Sequence, residues 1–218
     1  MSTVIETAPP VVLVGRSGSH FTRVATMVAL ELGVPFERQI VHDLLSVEPE
    51  TYSGHPALKI PALRVGDSTL FGTENICRRL VELAGREGDR RVALFEHART
   101  DLLRNAQELV WHAMAVQVQL IVGVRFAKLP TDNVFFEKAH AGLAGSLGWL
   151  DTRLDRVLGE LPSDRALSLF EIALFSLVEH MRFRTVLSVE PYDRLCEFAR
   201  VFGARPSAQA TPYRLDPR

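Results

Sequence analysis

Apolar positions come in short runs over the first seventy residues and at helical spacing after residue 94. Val11–Val14 is a continuous apolar run, as in a strand buried on both faces. Arg16-Ser17-Gly18-Ser19 follows as a turn. Phe21, Val24, Val28 and Leu32 then fall on one helical face, and Gly33 stops the helix. Pro35–Val41 reads as a second strand, so the segment predicts a β-α-β unit with parallel strands and a right-handed crossover. Residues 42–58, rich in Pro, His, Ser and Glu, predict irregular structure. Ala62–Val65 and Thr69–Phe71 are short strands joined by a Gly66-Asp67 turn. A helix over Thr73–Ala84 carries Ile76, Leu80 and Leu83 on one face.

The polar, glycine-containing stretch 85–91 is the best boundary in the chain, giving domains 9–85 and 92–218. Beyond it no strand pattern is convincing. Leu94–Val124 reads as one long helix with room for a kink, and Asn133–Leu158 as a second. Gly142, Gly145 and Gly148 recur every three residues there, as close helix packing wants. Ser168–Arg184 and Pro191–Phe202 are further helices, the first opened by a capping box, Ser168 to Glu171. Residues 1–10 read as a loose lead-in and 205–218 as an extended tail.

Composition narrows the function classes. The chain has 218 residues, 47% apolar, with net charge −1. That charge gives no electrostatic footprint for nucleic acid or an anionic membrane. No apolar run approaches the roughly 20 residues that span a bilayer, and no signal-peptide pattern opens the chain. Cys77 and Cys196 form no CxxC or metal-ligand pattern, and the seven histidines are dispersed. No metal is expected, and a cytoplasmic setting is the default. No cysteine lies around Arg16–Ser19, which argues against thiol–disulfide chemistry at that turn.

Four segments carry a resemblance. Ser19-His20-Phe21-Thr22-Arg23, running into Ala29-Leu30-Glu31-Leu32-Gly33-Val34-Pro35, is similar to a serine-first helix and the strand after it. His55-Pro56-Ala57-Leu58-Lys59-Ile60-Pro61-Ala62-Leu63 resembles an NPxGKVPAL segment with its cis-proline. Leu70-Phe71-Gly72-Thr73-Glu74-Asn75-Ile76 resembles an LxESxxI segment. Arg205-Pro206-Ser207-Ala208 resembles a C-terminal tail found in bacterial members. Together they resemble the cytosolic glutathione transferases. The resemblance implies an α/β thioredoxin-like N-terminal domain plus an all-α C-terminal helical domain, the glutathione transferase fold.

It also implies a chemistry. Glutathione would be the cosubstrate, attacking a small hydrophobic electrophile, in a homodimer. A free thiol has a pKa of roughly 8.5, so the site must favour the thiolate. Ser19, with Ser17 as the alternative, would donate to that sulfur while the helix N-terminus adds positive potential. The competing role of Ser19 is a helix cap, which serine fills well. Ile60 and Pro61 would pair with the peptide, Lys59 would meet the glycyl carboxylate, and Thr73, read as an N-cap, would hold the γ-glutamyl carboxylate. His42 and His55 lie in the loop that contacts glutathione in the family. Gly72 replaces the usual acid, and Glu74 is the nearest carboxylate, though turned elsewhere by one helical position. Trp111, His112 and Ala115, with Met114 and Gln117, would line an electrophile pocket or simply belong to the core. Two other readings stand beside this enzyme: a binding or regulatory protein that lost catalysis, and a glutathione-dependent isomerase, lyase or dehalogenase.

Overall fold

The computed structural model describes residues 9–217. The lead-in over residues 1–8 and the final residue of the tail lie outside the described residues. Strand β1 (Val11–Gly15), helix α1 (His20–Leu32) and strand β2 (Glu37–Ile40) form the β-α-β unit, with β1 and β2 parallel. Gly33 ends α1 at φ 68°, and Val34 N–H closes the turn on Ala29 O at 3.0 Å. That left-handed conformation costs glycine nothing. Strands β3 (Ala62–Val65) and β4 (Ser68–Phe71) form the hairpin, and β3 runs antiparallel to β1. The sheet order is therefore β2-β1-β3-β4. Helix α2 (Thr73–Leu83) packs on α1.

The rest is helical apart from one small ladder, in which β5 (Val92–Ala93) pairs in parallel with β6 (Leu167–Ser168). The helices are α3 (Asp101–Ile121), α4 (Val134–Gly159), α5 (Leu169–Arg184), α6 (Asp193–Phe202) and α7 (Pro206–Gln209). This is a thioredoxin-like domain followed by a mostly helical one. Helix α1 packs against both α2 and α5, so it is enclosed on two sides. That explains why it buries His20, Thr22, Arg23 and Thr26 as well as Val24 and Val28.

Several expectations need correction. The helix read over Leu94–Val124 begins only at Asp101, where Thr100 Oγ1 accepts from Leu103 N–H at 3.2 Å. Its last residues, Val122–Phe126, widen into a π-turn. Asp101–Phe126 is long and apolar enough, by length and composition alone, to cross a bilayer. Here it packs against α4 and α5. Gly142 and Gly145 face open space rather than a packed helix, and Gly148 only grazes Tyr192. The capping box at α5 is half formed. Ser168 Oγ accepts from Glu171 N–H, but the Glu171 carboxylate pairs with Arg165 at 2.7 and 2.8 Å. The tail is not extended throughout, because Pro206 opens α7 at a position proline favours.

Candidate active site at the N-terminus of the first helix

The turn Gly15–Ser19 leaves the C-terminal end of β1 and enters α1 directly. Ser19 is the N-cap residue, and its Oγ accepts from Thr22 N–H at 3.3 Å. That bond uses a lone pair and leaves the Ser19 O–H undirected among the described residues. Ser17 is differently employed. Its Oγ donates to Asp216 Oδ1 at 2.6 Å and its N–H to Asp216 Oδ2 at 2.8 Å. Ser17 is thus a committed donor and Ser19 an available one. The first turn of α1 carries no acidic side chain to offset its positive end. Gly15 is required by contact, since a Cβ there would lie 2.4 Å from Thr22 Oγ1.

The register brings the other predicted segments to the same end of the sheet. Gly15 is opposite Ile40, Val14 opposite Ala62, and Ala62 opposite Phe71. The segments leaving there are Gly15–Ser19, Val41–His42, Ile60–Pro61 and Gly72–Thr73. The Ile60–Pro61 peptide is cis. Among the described residues nothing engages the Ile60 N–H or C=O. Gly72, at φ 85°, is the N-cap residue of α2, and Thr73 is its buried first residue. Thr73 as N-cap is therefore corrected by one position: the chain turns at Gly72, where positive φ suits only glycine.

Residues 18–83 match the family described as Glutathione S-transferase, N-terminal domain. No curated protein matches the chain. Among solved structures, glutathione S-transferase III in its apo form superposes with a TM-score of 0.70 at 22% identity, over 96% of this chain and 99% of that one. A glutathione S-transferase from Methylobacillus flagellatus with glutathione bound gives 0.73 at 21%, over 93% and 98%. One from Methylobacterium radiotolerans, in complex with glutathione sulfonate, gives 0.72 at 17%, over 96% and 98%. The chain has the glutathione S-transferase fold, and its residues 18–83 match that family's N-terminal domain.

The remaining residues singled out from the transferase resemblance are placed unevenly. Lys59 and His42 are exposed. His55 is half-buried, with its ring 4.3 Å from that of Phe71 and Nδ1 accepting from Ala57 N–H at 3.1 Å. Burial and then the nearby Lys59 ammonium lower its pKa. Glu74 is paired with Arg78, which also binds Glu96 at 3.0 Å. Trp111 stacks on Phe21 at 5.7 Å and meets the Phe95 ring at a tilt, 5.2 Å away. His112 is exposed beside Glu108, and Ala115 is exposed on the same helix. No group of three or more His, Cys, Asp or Glu able to hold a metal occurs among the described residues. A cleft of about 1030 Å³ between α5, α6 and the tail is lined by Arg23, Phe183 and Tyr213 but by none of the Gly15–Ser19 turn.

Sequence reading missed the polar layer behind this turn of the transferase fold. His180 on α5 reaches Gly18 O through Nε2 at 3.1 Å. A carbonyl only accepts, so the proton sits on His180 Nε2. Burial lowers the His180 pKa to about 3, with Arg184 and Arg23 adding to the shift. The ring is neutral, and Nδ1 is an acceptor. His20 Nδ1, 2.9 Å away, donates to it. Gln117 Oε1 lies 2.8 Å from the same nitrogen, and Gln117 Nε2 donates to Met181 Sδ at 2.9 Å. His20 Nε2 is then a buried lone pair without a partner among the described residues. The His20–His180 contact links residues 160 positions apart, and no local spacing announces it. The returning tail is equally non-local. Arg205 binds Glu31 at 2.9 and 2.7 Å, Arg23 reaches Thr211 Oγ1 at 3.2 Å, and Asp216 closes on Ser17.

Proposed function

We propose that the protein is a glutathione-dependent transferase whose thiolate forms at Ser19. The observation that carries this reading is the available Ser19 hydroxyl at an unopposed helix N-terminus, on the sheet end that also bears the free Ile60 peptide group and Thr73. The tripeptide would pair with Ile60 as a short added strand. Its γ-glutamyl carboxylate would meet the α2 N-terminus at Thr73, and Lys59 its glycyl carboxylate. His42 and His55 flank the same loop. A hydrogen bond to a charged sulfur is worth about 1.5–3 kcal/mol, or one to two pKa units. Ser19 would therefore raise the thiolate fraction without itself acting as nucleophile. Ser17, held by Asp216, is the weaker candidate. Trp111, His112 and Ala115 remain proposed for the electrophile side. A cytoplasmic homodimer without a metal completes the reading.

Gly72 favours a second reading. Without an acid before Thr73, the γ-glutamyl ammonium loses a partner, and a binding protein without catalysis would follow. Isothermal titration with glutathione, beside Ser19→Ala, separates the two. Binding with a thiolate absorbance that Ser19→Ala abolishes supports the transferase. Absence of binding at millimolar glutathione sinks it. Rapid turnover of a dedicated substrate without general conjugation would instead indicate an isomerase, lyase or dehalogenase.

A further inference from the structure

The Gly15–Ser19 turn is surrounded by more positive charge than the glutathione reading uses. Arg16 lies in the turn itself. Arg184 ends α5, and its Nη2 donates to Gly18 O at 3.4 Å. Arg125, in the π-turn after α3, donates through Nη2 to Arg184 O at 2.5 Å. None of the three forms an ion pair within 4 Å among the described residues. The Nε atoms of Arg16 and Arg184 are buried and lack any partner there. Burial and then the charges of Arg125 and Arg16 lower the pKa of Arg184. Buried donors without acceptors carry a cost that a ligand can relieve.

A second observation points to an oxyanion at the same turn. Asp216, brought back by the tail, already places a carboxylate on Ser17 N–H and O–H. Burial pushes that carboxyl up. The Ser17 bonds, then Arg38 and Arg16, outweigh it and hold the carboxyl below the usual range. The turn is thus built to receive an oxyanion and holds one from its own chain.

We propose that Arg16, Arg125 and Arg184 form a subsite for an anionic group, a carboxylate or sulfonate, on the second substrate beside Ser19, and that Asp216 competes for it. The words "second substrate" rest on the glutathione reading, whereas the anion subsite does not. Three guanidinium groups at one turn suit a single anionic end, which they would fix by charge-assisted hydrogen bonds.

The test uses the full chain and two fluorescent dyes of similar shape, anionic 8-anilinonaphthalene-1-sulfonate and neutral N-phenyl-1-naphthylamine. Arg184→Gln and Arg16→Gln should each weaken the sulfonate by about tenfold while moving the neutral dye less than about twofold. Asp216→Asn should tighten the sulfonate, and it keeps the test decisive if an arginine variant fails to fold. Equal responses of the two dyes, no sulfonate binding, or no tightening in Asp216→Asn would overturn the subsite. Displacement of the sulfonate by glutathione would overturn the assignment to a second substrate, since the arginines would then serve glutathione itself. Failure of glutathione to bind, with the dye responses intact, would leave the subsite standing and count against the transferase reading alone.

Discussion

His180 donates to the Gly18 carbonyl at 3.1 Å, so the helical domain grips the peptide immediately before Ser19. The ring that makes this bond is held neutral, its pKa lowered to about 3. His20 is likewise pushed well below its ordinary value, first by burial and then by His180. In the unfolded chain both histidines titrate near 6.5. Between about 6.5 and 3 the unfolded state binds more protons than the folded one, so stability rises with pH there and is lost as pH falls. The carboxylates with lowered values, Glu31 and Asp216, start from 4.5 and 3.8 and act below the upper part of this window. Melting temperature should therefore drop as pH falls from about 6.5 to 5. His180→Gln should flatten that slope. An unchanged slope would mean that the ring is not neutral in the folded protein.

The Ser17–Asp216 pair predicts a fastened tail. Two hydrogen bonds to a carboxylate that stays partly exposed should contribute about 1–2 kcal/mol. Ser17→Ala keeps the backbone N–H bond and should lose less than Asp216→Asn, and the double variant little more than Asp216→Asn alone. Limited proteolysis should cut near Tyr213–Asp216 faster in both variants. Additive losses would show that the two residues act separately.

Gly15→Ala tests the close approach of β1 to α1. The new Cβ would meet Thr22 Oγ1 at 2.4 Å and Cγ2 at 2.6 Å. Overpacking of this kind costs about 1–3 kcal/mol. Chemical denaturation should show that loss, and Gly15→Ala with Thr22→Ala should recover part of it. Full stability in Gly15→Ala alone would mean that the turn shifts freely.

These tests also mark how far the sequence could be read. The β-α-β unit, the Gly66 turn and the Gly33 stop were legible because each depends on neighbours in the chain. So was Ser19, whose position before an apolar helix is a local pattern. The boundary of α3 was missed because Leu94 and Phe95 are apolar for another reason: Leu94 is buried in the core and Phe95 meets Trp111 before the helix begins. Gly142 and Gly145 misled because spacing shows only which residues share a face, not whether that face has a partner. The His20–His180 pair, Arg184 and Asp216 left no signal at all. Each is a single residue whose partner lies more than 150 positions away.

Gly72→Glu asks whether the missing acid matters. The backbone at φ 85° disfavours any side chain by about 1 kcal/mol, a cost that Gly72→Gln shares. Space is not limiting, because a Cβ would stand 3.6 Å from Asn75 Nδ2. Glu74 does not fill the role, since Arg78 holds its carboxylate. The difference between the two variants therefore isolates the charge. If glutathione sits with its γ-glutamyl end at Thr73, Gly72→Glu should bind it about tenfold more tightly than Gly72→Gln, a gain of about 1.4 kcal/mol. The gain should shrink with added salt, as an exposed ion pair requires. Equal affinities for glutathione in the two variants would place its ammonium away from residue 72 and remove Thr73 from the proposed site.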